Sequence, residues 1–424
     1  MKKLLIITLA VLFAAGAAYA VEYDYSGMIN TRGSYIDNWS GEFDKDEAGD
    51  YMYYDMEFDS TLVIRPTDKS SIHLNWEIHD ESWLDTAGDS NSYGSDTDAD
   101  DQIDSLQGAD DNIVFKRAFG SVKFDMGGTL DFGLMTGGAW ATAFGDNANG
   151  EYRLKWRQDT AMGPVFVILQ KNAELGESAT KDYDAEKDDQ DVYYLAMVTK
   201  VGDISIKPLL GYGLIGQLEA DEEEDVTLIA ALLGVDGSFG AIGFEAEFIY
   251  KDYSYDLDKA AAAEDYSIWG AYANVWTTMD AVKVGGMVAY GSYDKDGGTA
   301  AGYGKGFGFG EDFGPGYWVM DWEHFGSGGK YEYYAATLLA VYADFAVNDD
   351  LSLYGCLEYM MSNEEDTYYE DATGTIVNFG LGYSLADNVQ YSIGAAYGQF
   401  DSDDTDVWDP EPFTRIYHKI QVNF

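Results

Sequence analysis

The chain has 424 residues, 76 acidic against 25 basic, and a formal net charge of −51, so its surface repels nucleic acid and attracts cations. One cysteine, Cys356, excludes an intrachain disulfide framework, while 34 Tyr, 10 Trp and 48 Gly against only 6 Pro suit an exported β protein. A soluble chain of this length would normally divide into two or three domains, yet no linker of that kind is present.

At the start, Lys2 and Lys3 precede an apolar run from Leu4 to Ala18, and Ala18-Tyr19-Ala20 is a small-x-small cleavage site. Residues 1–20 are therefore expected to be a cleaved secretory signal, leaving 21–424 as one domain. No cysteine follows the cleavage point, which argues against a lipid anchor. Beyond residue 20 no apolar run approaches the roughly 18 residues a membrane helix needs. If the chain crosses a membrane, it does so with strands.

A first alternating segment covers 22–39. From Asp50 to Arg65, Met52, Tyr54, Met56, Phe58, Leu62 and Ile64 share one face, and Tyr53, Asp55, Glu57, Asp59, Thr61 and Arg65 the other. A turn at 66–70 returns the chain through 72–79, where Ile72, Leu74, Trp76 and Ile78 alternate with His73, Asn75, Glu77 and His79. The pattern recurs at 112–125, 129–137, 150–158, 164–172, 191–202, 204–216, 226–235, 240–252, 265–278, 281–293, 333–347, 351–362, 374–386, 389–400 and 412–424. That predicts about 18 strands, or 16 if one hairpin is miscounted.

Short turns alternate with long polar loops, the pattern of an all-β transmembrane antiparallel barrel with periplasmic turns and extracellular loops. An even strand number puts both termini on the periplasmic side. A soluble sandwich or solenoid also alternates, but long strands and strictly alternating loop lengths weigh against it. Two segments, 226–235 and 333–347, are apolar on both faces. Their Ala230, Ala231, Ala335 and Ala336 would suit a flat subunit contact.

The acid excess lies mostly in loops 85–111, 217–225 and 401–411. These would surround the outer mouth with negative potential, screened over about 8 Å at physiological salt. Asp96-x-Asp98-x-Asp100 with Asp104 resembles the start of a calcium loop, but Asp101 replaces the bend glycine and Gln107 the bidentate Glu. No built metal site or cofactor is expected. Loop-bound Ca²⁺ or Mg²⁺ bridging to lipopolysaccharide is the looser use.

Residues 113–138, IVFKRAFGSVKFDMGGTLDFGLMTGG, resemble the stretch of general bacterial porins in which two strands meet at a tight glycine turn before the loop that folds into the pore. Leu134 follows Phe132-Gly133 where that family commonly has an arginine. The resemblance covers 21–424 and implies a homotrimer in the Gram-negative outer membrane, in contact with its lipid and lipopolysaccharide. It also implies a fold-in loop at 137–150, GGAWATAFGDNANG.

Next comes a ladder in which Glu151, Arg153, Lys155 and Arg157 alternate with Tyr152, Leu154 and Trp156. The cations are spaced about 6.6 Å apart on one face. On the lipid side each would cost about 2 to 4 kcal/mol near the midplane, so they are expected in the lumen. There they either oppose acids of the inserted loop, such as Asp146, or pair with carboxylates of neighbouring strands, Asp131 or Asp125. Asp55, Glu57, Asp59, Glu77, Glu245 and Glu247 add an acidic lining that favours cations.

The longest loop, 294–332, contains GYGKGFGFG without Walker spacing, and Tyr317, Trp318, Trp322 and Phe325, assigned to packing of the folded loop. The four histidines (His73, His79, His324 and His418) have no nucleophile or acid at motif spacing, so no enzyme is expected. Cys356 falls among lumen-facing packing positions.

The final strand puts Ile416, Ile420, Val422 and Phe424 on one face and Arg415, Lys419, Gln421 and Asn423 on the other, with His418 interrupting the apolar side. A terminal aromatic here is similar to the assembly signal of outer-membrane barrels. The expected function is passive diffusion of ions and small hydrophilic solutes, with cations preferred. A sugar-specific porin, suggested by strand number and aromatic content, and a non-conducting surface adhesin are the alternatives.

Overall fold

The computed structural model describes residues 21–39, 49–78, 83–84, 113–136, 139–145, 150–173, 190–219, 222–256, 265–295, 305–310, 313–314, 333–365, 367, 369–402 and 412–424. The proposed signal, the calcium-like stretch, Asp146 and the aromatics Tyr317, Trp318, Trp322 and Phe325 lie outside the described residues, as do His79 and His324.

Eighteen strands form the barrel: β1 Glu22–Trp39, β2 Gly49–Thr67, β3 Ser70–Ile78, β4 Ile113–Lys123, β5 Gly128–Thr136, β6 Gly150–Thr160, β7 Gly163–Ala173, β8 Gln190–Met197, β9 Ile204–Glu219, β10 Glu222–Phe239, β11 Ile242–Asp256, β12 Tyr266–Met279, β13 Val282–Gly291, β14 Ala336–Ala346, β15 Leu351–Ser362, β16 Thr373–Ala386, β17 Val389–Asp401 and β18 Phe413–Asn423. The 16-strand alternative is thereby excluded. Each strand pairs antiparallel with its sequence neighbours, and β18 returns to β1 from Met28↔Asn423 to Asp37↔Thr414. Closure matters because unpaired backbone groups cost several kcal/mol each in hydrocarbon. Among the described residues no helix is long and apolar enough to cross a membrane.

Alternation sorts the side chains as the pleat requires. Tyr152, Leu154, Leu210, Tyr212, Phe248, Val341, Phe379, Ile416 and Ile420 point outward and are exposed. Residues one position away point inward. The turns are tight at the end bearing the termini: Gly202-Asp203, Gly240-Ala241 and Asp280-Ala281 each reverse the chain in two residues. Strand β10 runs to Phe239, so the expected turn at 236–239 is displaced to Gly240, whose φ of 62° favours glycine.

The two segments that are apolar on both faces are strands β10 and β14, and the reason lies in the lumen. Inward-facing Leu338, Ala336, Ile249, Ile268, Tyr272, Met360, Ile376 and Phe413 belong to one buried apolar cluster completed by Phe144, Phe307, Phe309, Phe313 and Tyr333 from two inserted segments. Eight of the eighteen strands, β11 to β18, thus face packed side chains toward their outer ends.

Candidate functional site

The first inserted segment lies where the fold-in loop was expected, between β5 and β6. Its described part, 139–145, follows the inner wall strand by strand. The Trp140 indole donates to the Lys207 carbonyl on β9 at 3.1 Å and meets Phe166 edge to face. Ala141 rests on Gly234 of β10, where an added Cβ would come within 2.1 Å of the Ala141 Cβ. Only glycine admits the loop so close. On β11, Glu247 accepts from the Thr142 amide at 3.0 Å and also from the Thr142 hydroxyl. Phe144 then stacks on Tyr272 of β12.

A second segment comes from the long connection between β13 and β14. Phe307 N donates to Ser292 O, Phe309 N to Tyr333 O and Ala335 N to Phe307 O, each within 3.0 Å. Tyr333 donates to Glu358 at 2.9 Å, and Asn378 donates to the other oxygen of the same carboxylate at 2.9 Å. The two segments join where Gly310 N donates to Phe144 O and the Phe144 ring touches Phe307, Phe309 and Phe313. Glu247 and Glu358, 2% and 1% exposed, each tie one segment to the wall; hydrogen bonds are what make such buried carboxylates tolerable.

The opposite wall, β1 through β6, carries most of the charged and amide contacts. Arg153 donates to Gln170 and, at 2.9 Å, to the Thr136 carbonyl. Lys155 pairs with Asp131 at 3.1 Å, and Arg157 with Asp159 of its own strand at 2.9 Å. Of the two carboxylates expected to pair with the ladder, Asp131 does so. Asp125 instead pairs with Lys69 at 2.5 Å because it lies in the turn after β4. Glu151 is half-buried on the ladder's face.

Glu57 accepts from Asn30 at 2.7 Å, Asp59 from Asn75 at 2.9 Å, and Glu77 pairs with Lys116 at 2.5 Å. Of Asp55 the backbone is described, opposite Arg32. Partly exposed ion pairs such as Lys155–Asp131 are worth roughly 0 to 1 kcal/mol, so a passing ion can compete with them.

Sequence reasoning missed three parts of this site. One is the burial of Arg415 at the closing seam, where Arg32 lies opposite Lys419 and Arg415 donates to Ser34 at 3.3 Å. Another is Glu358, hidden in the apolar-rich β15. The last is the second inserted segment, whose signal was the strict Gly-Phe alternation of Gly306-Phe307-Gly308-Phe309-Gly310. His73 stacks on Phe119 with ring centroids 4.5 Å apart. His418 lies outside, over Gly33 and edge-on to Tyr54. Among the described residues no group of three His, Cys, Asp or Glu is placed to hold a metal. Cys356 is buried on the lumen side of β15.

A closed antiparallel barrel, greasy outside and charged inside, is an outer-membrane β-barrel, and its place is the Gram-negative outer membrane. No known family model and no curated protein matches the sequence. Among solved structures, the chain is similar to OccAB3 of Acinetobacter baumannii, with a TM-score of 0.54 and 11% identity over 95% of this chain and 100% of that one. OccAB1 of the same organism gives 0.51 and 12% over 95% and 97%, and OccK8 (OprE) of Pseudomonas aeruginosa gives 0.51 and 9% over 95% and 98%. At these identities the likeness concerns the fold.

Proposed function

We propose that the chain is a porin: a water-filled channel for passive diffusion of ions and small hydrophilic solutes, preferring cations and assembling as a homotrimer. The observation that carries this reading is the division of the lumen. The inserted segments pack against β9–β18 and touch Phe166 of β7, while β1–β6 present charged and amide side chains to the remaining space. Exported residues from 21 onward, following a cleaved signal, complete the picture. The acidic outer loops supply the field that favours cations, and the ladder of Arg153, Lys155 and Arg157 moderates it at the narrow level.

Reconstitution in a planar bilayer with a KCl gradient tests the proposal. Stepwise conductance and a reversal potential of cationic sign are expected; silence or anion preference overturns it. Replacing Arg153, Lys155 and Arg157 together by Gln removes three positive charges from the lumen. Reversal potential should then move further toward the cation limit, with the shift shrinking as salt screens the lumen. An unchanged potential would remove the ladder from the conduction path.

Lumen-facing Trp276, Tyr342 and Tyr354 favour a second reading, a channel specific for a ring-bearing solute such as a sugar. Saturable block of the current by a maltooligosaccharide distinguishes it.

A further inference from the structure

Below the first inserted segment, toward the periplasmic turns, the wall of β9–β12 holds a cavity of about 590 Å³ lined by Ala141, Lys207, Asp236, Glu245 and Trp276. The indole is held flat on the wall because Gly243 leaves room for it: an added Cβ would lie 2.4 Å from the ring. The same device places Tyr342 over Gly285. The two rings are neighbours through Gly285, which pairs with Trp276 on one side and Tyr342 on the other.

Lys283 shows what these faces attract. Its ammonium lies over the rings, 5.3 Å from the Trp276 centroid and 5.4 Å from that of Tyr342. Beside them, Glu245 accepts from the Tyr272 hydroxyl at 2.6 Å and from the Asn274 amide at 3.4 Å, both neutral donors. Asn274 in turn accepts from the Tyr342 hydroxyl at 3.0 Å. The rings and the carboxylate are thus fixed as one unit, and Lys207 is engaged with Asp236 at 2.7 Å.

We propose that Trp276, Tyr342 and Glu245 form a binding site for organic ammonium solutes, which Lys283 occupies from within the chain until a solute displaces it. Two ring faces supply the quadrupole attraction and the carboxylate supplies the countercharge. Alkyl carbon on the solute adds contact that a hydrated K⁺ lacks. As a step in transit the site rests on the channel reading; as a binding site it does not.

Calorimetric titration of n-butylammonium chloride into the folded barrel in detergent, against an equal NaCl control, tests it directly. Saturable binding is expected, weakened about fivefold to tenfold in Trp276→Ala or Glu245→Gln and strengthened several-fold in Lys283→Met, which vacates the rings. Glu245→Gln preserves shape, so the comparison survives if Trp276→Ala misfolds. Absence of binding, equal binding in Glu245→Gln, or weakening in Lys283→Met overturns the site. Binding without bilayer conductance would overturn the channel and keep the site. Conductance without binding would do the reverse.

Discussion

Deletion of Phe424 should lower the amount of folded barrel in the outer membrane several-fold while leaving export intact. The residue exchanges two backbone hydrogen bonds with Gly27, at 2.9 and 3.0 Å, at the periplasmic end of the closing seam. Its ring lies 5.4 Å from Tyr25 and 5.9 Å from Phe58 and covers Gly27, whose missing side chain makes the space. Two aromatic contacts at about 0.5 to 1.5 kcal/mol each and two ladder bonds of similar net worth sum to roughly 2 to 6 kcal/mol. That loss falls on the one strand pair that has no hairpin to hold it. Membrane fractionation and heat-modifiable gel migration measure the outcome. Phe424→Trp should restore assembly, and full assembly of the deletion variant would refute the role.

Glu247→Ala should release the first inserted segment, raising mean single-channel conductance and open-channel noise. The substitution strands the Thr142 amide and hydroxyl, groups that cost about 1 to 3 kcal/mol each when left buried without a partner. Phe144→Ala attacks the same segment through its contacts with Tyr272, Phe307, Phe309 and Phe313. Because both act on one element, the double variant should show less than the sum of the two single effects. Glu247→Gln keeps an acceptor and should fall between. Conductance and noise equal to the parent's in Glu247→Ala would show that this segment does not limit the pore.

The strands were legible because lipid and lumen impose opposite chemistry on successive residues, as in Tyr152, Leu154 and Trp156 against Arg153, Lys155 and Arg157. The signal failed in β10 and β14 for a physical reason. Leu338 belongs to the buried apolar cluster in the lumen and Leu232 packs against it, so the inner faces of these strands carry apolar side chains as the outer ones do. The fold-in loop was expected from its place between β5 and β6. Its anchor, Glu247, was assigned only to the acidic lining, since a strand's alternation says which way a carboxylate points and nothing of what it meets. The second segment was out of reach because the Gly-Phe alternation of 306–310 marks an extended strip of chain and says nothing of which wall it meets. His418 interrupts the outer face as expected, and Gly33 beneath it supplies the room.

The packed cluster inside the wall also sets an order of events. Thr142 reaches Glu247 across a separation of 105 residues, and Arg415 reaches Ser34 across 381. Contacts between such distant positions form slowly because the intervening chain must first be organised. Phe144, Phe309 and Tyr333 touch one another, but the wall they fill exists only once β11 to β16 stand side by side. The cylinder must therefore come together while its interior is still wet, and the segments settle afterwards, expelling that water from one side only. What results is a tube whose bore is finished last.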